Sequence, residues 1–267
     1  MAEPQERRLE TQSPPDQARS PTTGPRDPLT TEPPSVRHIL GILVSGNLAG
    51  LIAGLFAGGV GSRLAMRILA LTSPDAQGAI TEAGEIVGEI TLEGTIFLLA
   101  AGAALGMGGG LAYVATRRWL PSQGRGLAFG LLMLAVSGRL LVNPDNIDFV
   151  ILDPAWLGIT MFALLPILFG LLIVPLQAML EPILTKPRSG LVTGLILAAG
   201  LAPLAIGGTI SLVIVILIAV GFLLARSDPV REAWDTATVD IYGRAVLMAA
   251  GIFGLGFFAW GALEILA

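Results

Sequence analysis

Apolar positions in this chain come in long unbroken runs, with polar residues gathered between them. The runs cover about Ile39 to Val60, Thr95 to Ala115, Leu127 to Val142, Trp156 to Met179, Gly190 to Ala205, Ile210 to Ala225 and Gly243 to Leu263. About twenty apolar residues wound as a helix cross the hydrocarbon core of a bilayer, whereas barrel strands alternate polar and apolar residues over about ten. Lipid offers no hydrogen bonds to a bare backbone, so spanning segments must satisfy their own. The pattern predicts an all-α fold, a polytopic transmembrane helical bundle of about seven crossings. Six is the competing count, reached if 189–225 forms one long helix with a re-entrant piece.

Within the first run Gly46, Gly50, Gly54 and Gly58 recur every fourth residue, and Gly102, Gly106 and Gly110 repeat the spacing in the second. Residues four apart nearly superpose on a helix, so each set makes a thin stripe along which another helix can approach to backbone contact. The two stripes are expected to pack on each other, or equally on a partner membrane subunit or a second copy of the chain.

Composition agrees with lipid as the solvent. The 267 residues are 53% hydrophobic, with mean hydropathy +0.75 and only 13% charged, against about a quarter charged in soluble domains. Residues 1–37 differ: eight prolines stand among acids, bases, Ser and Thr without an apolar centre. That segment reads as a disordered Pro-rich tail, not a cleavable signal, ahead of a membrane domain over 38–267. With the tail inside, inward loops carry eight basic residues and outward loops three, which favours a cytoplasmic N-terminus, an outside C-terminus and a cell inner membrane location. Tyr113, Arg117, Arg118 and Trp119 read as a headgroup-level belt closing the second crossing.

Candidate chemistry is sparse. Glu82, Glu85, Glu89 and Glu93 are spaced to share one face of a helix over 75–93, opposite Arg63 and Arg67 at the far end of the first helix. This candidate ion-pair or ligand group reads either as headgroup-level ion pairs that orient a helix hairpin or as an outward-facing charged vestibule for a cation or small solute. Pro166 and Pro175 inside the fourth crossing are candidate hinge positions, because each removes a backbone donor. Glu181-Pro182 reads as the end of that helix. Asn47, Ser137 and Gln177 are polar interruptions that a moving pathway would use. Asp145, Asp148 and Asp153 lack the ordered spacing and glycine of a calcium loop, and read as a solvated acidic loop with Arg139 as a partner.

Several chemistries fall away. There is no cysteine, a single histidine, His38, at the tail junction, and a single lysine, Lys186, in a loop. Imidazole clusters, thiolate sites and an intramembrane Schiff base therefore have no candidates, and no metal or cofactor is expected. The scattered basic residues make no nucleic-acid surface. Membrane lipid is the expected partner.

Ser62-Arg63-Leu64-Ala65-Met66-Arg67, the run Gly84 to Gly94 with its repeated Glu and Thr, and Arg118-Trp119-Leu120-Pro121 resemble a type of uncharacterised multi-pass bacterial membrane protein. The resemblance implies a bacterial inner-membrane protein and carries over no activity and no functional residue. Three functions follow in order of preference. The first is a structural, assembly or regulatory membrane protein, the second a small-solute or ion transporter, the third a membrane-embedded enzyme working with carboxylates.

Overall fold

From Val36 the sequence is free of proline as far as Pro74 and rich in Leu, Ile and Ala, and it is helical from Val36 to Thr72. The computed structural model describes residues 36–81, 86–186, 220 and 236–267, all within one compact unit, Pro34–Ala267. α1 (Val36–Gly54) passes through one π turn (Leu55–Val60) into α2 (Gly61–Thr72), forming a rod of 36 residues over Arg37–Thr72. α3 (Leu92–Thr116), α4 (Arg125–Leu141), the short α5 (Asp148–Ile151), α6 (Ala155–Thr185) and α7 (Ala237–Leu266) follow.

The rod, α3, α6 and α7 are each long and apolar enough to cross a membrane. At 17 residues, α4 is about 25 Å long, shorter than a hydrocarbon core of about 30 Å. The chain is thus an all-helical, multi-pass membrane protein. The expected crossings at 190–205 and 210–225 and the tail up to Ser35 lie outside the described residues, except Val220.

Three boundaries differ from expectation. α7 starts at Ala237, ahead of Gly243, because Thr236 caps it by accepting the Val239 N–H at 3.4 Å. α6 runs unbroken through Pro166 and Pro175, and Pro182 does not end it either. The turn containing Pro182 is instead pinned by side-chain bonds at Glu181, described below. Among the described residues of the helix expected over 75–93, no α-helix forms before Leu92, and Glu82 and Glu85 lie outside the described residues. Pro74–Ala76 form a 3₁₀ turn, Gly78 and Gly88 take φ of +85° and +93°, and Ile80 and Ile86 pair as an antiparallel bridge. Positive φ is open to glycine and ends a right-handed helix. The hairpin closes through Val87 N–H to Ala79 O at 2.9 Å and Gly78 N–H to Val87 O at 3.2 Å. Ser73 then ties it to the α5–α6 loop, donating to Asp153 O at 2.7 Å and accepting from Asp153 N at 2.9 Å.

The glycine stripes of α1 and α3 face each other in antiparallel register. A Cβ placed on Gly54 would lie 2.6 Å from the Gly106 Cα, one on Gly50 2.8 Å from the Gly110 Cα, and one on Gly58 3.0 Å from the Gly102 Cα. Side chains would force the backbones apart at each level. A repeat of four outruns a 3.6-residue turn by about 40° per step, so the stripe should wind off the partner before its last member. The π turn, in which each bond spans five residues, rotates the chain less per residue and keeps Gly58 and Gly59 against α3. A second close approach joins α4 to α6, where a Cβ on Gly130 would lie 2.8 Å from the Ile167 Cα, and Gly170 abuts the Gly130 backbone.

Between these pairs the core is aromatic and aliphatic. Phe129 and Ile173 are fully buried, and Phe129 meets Tyr113 edge-on at 5.2 Å and Phe169 at 6.3 Å. Tyr113 is therefore a core residue, not part of a headgroup belt: one turn before the end of α3, it points between helices. α7 lies against α4, with Gly254 on Ala135 and Gly261 on Arg139, while Ile252, Phe253 and Trp260 remain exposed.

A polar string holds the tail end of α1, α3 and α6 together. The Gln177 amide donates to Ser45 Oγ at 2.8 Å and to Glu181 Oε2 at 3.2 Å, and Ser45 donates to Ile42 O. Glu181 in turn accepts from both terminal nitrogens of Arg117. Arg117 lies one residue beyond α3, and its hydrogen bond to Glu181 raises its pKa above the ordinary value, outweighing the opposing effect of burial. Next to it, Arg118 binds Asp240 at the start of α7, so α6 ends and α7 begins at the same end of the bundle.

Two predictions follow from this packing. Alanine is the better helix former by about 1 kcal/mol, so Gly256→Ala, at a site with no atom of the described residues within 4 Å, should leave the melting temperature in detergent equal or higher. Gly106→Ala should lower it by several degrees, because a Cβ there would lie 2.7 Å from the Gly54 Cα. For the string, Arg117→Ala and Glu181→Ala should each destabilise, while the double variant loses less than the sum by about 1 kcal/mol or more in a denaturation cycle.

Candidate functional site

Where the rod ends, α2, Thr81, the stretch from Ile86 to Ile90, α3, α5 and α6 border a cavity of about 130 Å³. Its position follows from the chain's own breaks. The hairpin folds back because Gly78 and Gly88 turn it, and Val87 drops into a small cluster with Ala70 and Ala76. Thr91 then caps α3 by accepting the Gly94 N–H at 3.1 Å. These constraints fix the cavity roof above Arg63 and Arg67, which stand one turn apart on α2 and both line it.

The two guanidiniums are thinly satisfied. Arg63 donates to Thr91 O and Arg67 to Gly88 O, each at 3.4 Å, and the Arg63 Nε is buried without an acceptor. A guanidinium carries five N–H donors, and a buried donor left unpaired costs about 1–3 kcal/mol. Most of the wall is apolar, from Leu69, Val87, Leu98, Leu152 and Phe162. Glu89 and Asp148 complete the lining, Glu89 on an exposed residue.

The expected ion pairs between this arginine pair and the glutamates do not form among the described residues. Glu89 follows the hairpin and Glu93 sits in the first turn of α3, on exposed positions, while Glu82 and Glu85 lie outside the described residues. The ion pairs among the described residues lie elsewhere: Arg117 with Glu181, Arg118 with Asp240, and Arg139 with Glu264 at 4.0 Å. Arg139 thus serves α7, and also donates to Asn143 Oδ1 at 3.3 Å, not to the aspartates. Asp148 opens α5 and Asp153 is held through its backbone by Ser73. Among the described residues no three His, Cys, Asp or Glu gather as a metal site.

The polar interruptions are absorbed into packing. Ser137 donates to Met133 O within α4, Gln177 and Ser45 join α6 to α1, and Asn47 is buried. Sequence reasoning missed Glu181 and Arg117 as a pair. The available signal was Gln177 and Glu181 four residues apart on one face, near the same membrane end as the basic pair closing α3.

Searches against protein-family models, curated proteins and solved structures found no match for this chain.

Proposed function

We propose that this protein is a structural, assembly or regulatory component of a bacterial inner membrane. The observation that carries the reading is the backbone-to-backbone contact of α1 with α3 through successive glycine levels. Helices packed so closely leave no room for sliding without separation, and lipid tails give little competing incentive to separate. The centre of the bundle is filled by Tyr113, Phe129 and Phe169, where a conduit would need open polar surface. Seven crossings accord with α6 ending and α7 beginning at one end of the bundle.

A second reading, a small-solute or ion transporter, is favoured by the cavity at Arg63 and Arg67, whose mixed charges fit a vestibule. Flux separates the two. Sealed vesicles containing the purified protein should pass potassium, chloride and protons no faster than protein-free vesicles. A flux that Arg63→Gln abolishes in a well-folded variant would overturn the scaffold reading.

Orientation has its own test, made simple by a chain without cysteine. In intact cells an impermeant maleimide should label Gln77→Cys and not Ser122→Cys, both at exposed positions at opposite ends of the bundle. The reverse pattern would place the tail outside.

A further inference from the structure

The cavity at the end of the rod has features that a packing role leaves unused. It holds two arginines one turn apart whose guanidiniums each make a single 3.4 Å hydrogen bond, and the Arg63 Nε is buried with no acceptor. Neither arginine lies within ion-pairing distance of Glu89 or Asp148, although all four line the same space. The site thus offers open donors on one side and the exposed Glu89 carboxylate on another.

The mouth of the cavity says from which phase a ligand would come. Ile90 and Phe97 line it and are 68% and 66% exposed. They continue onto the exposed apolar surface of α3 at Leu92 and Ile96, on a helix long enough to cross a membrane. A ligand entering there slides in from lipid, with its apolar part along Phe97 and its polar part towards the arginines. Paired guanidiniums match the geometry of phosphate oxygens. The Glu89 carboxylate favours an ammonium group beside that phosphate and disfavours a headgroup of purely negative charge.

We propose that this cavity binds a membrane phospholipid with an amine-bearing headgroup, its phosphate held by Arg63 and Arg67 and one acyl chain lying against Phe97. The site is independent of whether the protein is a scaffold or a transporter, and of which end of the bundle faces outward.

The test uses the full-length protein, stripped of lipid in detergent and offered dioctanoyl phosphatidylethanolamine, phosphatidylglycerol or diacylglycerol, with retention read by native mass spectrometry. The wild type should retain phosphatidylethanolamine about tenfold over diacylglycerol, and less strongly over phosphatidylglycerol, a ratio in keeping with two charge-assisted contacts. R63Q/R67Q should lose that preference, while Arg244→Gln, an exposed cation at the other end of the bundle, should keep it. Where the double variant does not elute as a single species, Arg67→Gln, at an exposed position, carries the test with a loss of several fold. Equal retention of diacylglycerol by the wild type, a stronger preference for phosphatidylglycerol, or a preference unchanged in the arginine variants would overturn the proposal. Displacement of the lipid by millimolar inorganic phosphate would also overturn it, marking a site for a soluble anion.

Discussion

Close approach of two backbones is the constraint on which the rest of this structure depends. In water, helices are pressed together because their apolar faces flee the solvent. In lipid that force is absent, and association rests on contact area and on whatever polar bonds can be made between helices. Glycine at Gly46, Gly50, Gly54 and Gly58, met by Gly102, Gly106 and Gly110, gives the contact area by removing everything between the two chains. Dispersion then acts over many atoms at short range. Once α1 and α3 are fixed, Ala49, Ala53 and Ala57 lie against the aromatic core that α4 and α6 supply.

The few polar side chains within the bundle act at its ends. At the tail end, the string from Ser45 through Gln177 and Glu181 to Arg117 joins three helices, and Arg118 to Asp240 adds a fourth. At the other end Arg139 reaches Glu264 on α7, and Ser73 clamps the hairpin to the α5–α6 loop. Such bonds have few rivals where water is scarce, so they set register that uniform apolar surfaces leave open. Arg63 and Arg67 take no part in these ties and border the cavity instead.

Much of the bundle was legible because long apolar runs and four-residue glycine spacing are local patterns. The described long helices fall on the expected apolar runs with ends up to six residues off. The glycine stripes were visible in the spacing, although spacing left open whether they face each other or a partner. The second close contact, Gly126 and Gly130 against Gly170, rests on a single pair at 126–130, a weaker signal than four glycines in a row. What sequence could not supply was the partner of each charge. Glu82 to Glu93 carried a helical period, yet Gly78 and Gly88 take positive φ and Ile80 pairs with Ile86, so the described residues around them are not helical. Conversely, Arg117 looked like a belt residue until α6 brought Glu181 beside it from 64 positions away. Long-range pairing depends on which helices become neighbours, and one-dimensional pattern does not record that.

The π turn at Leu55–Val60 has a structural meaning beyond keeping the stripe in contact. A single π turn is equivalent to one residue inserted into an α-helix, and one residue is worth roughly 100° of rotation. It works as a phase shifter between the two halves of the rod. The first half is indexed to its glycine partner, while the second takes its rotational setting afresh, with Ala65 and Leu69 turned inward and Arg63 and Arg67 swung to the cavity. One continuous helix thereby presents two independently aimed surfaces, and the angle between them is stored in a single widened turn.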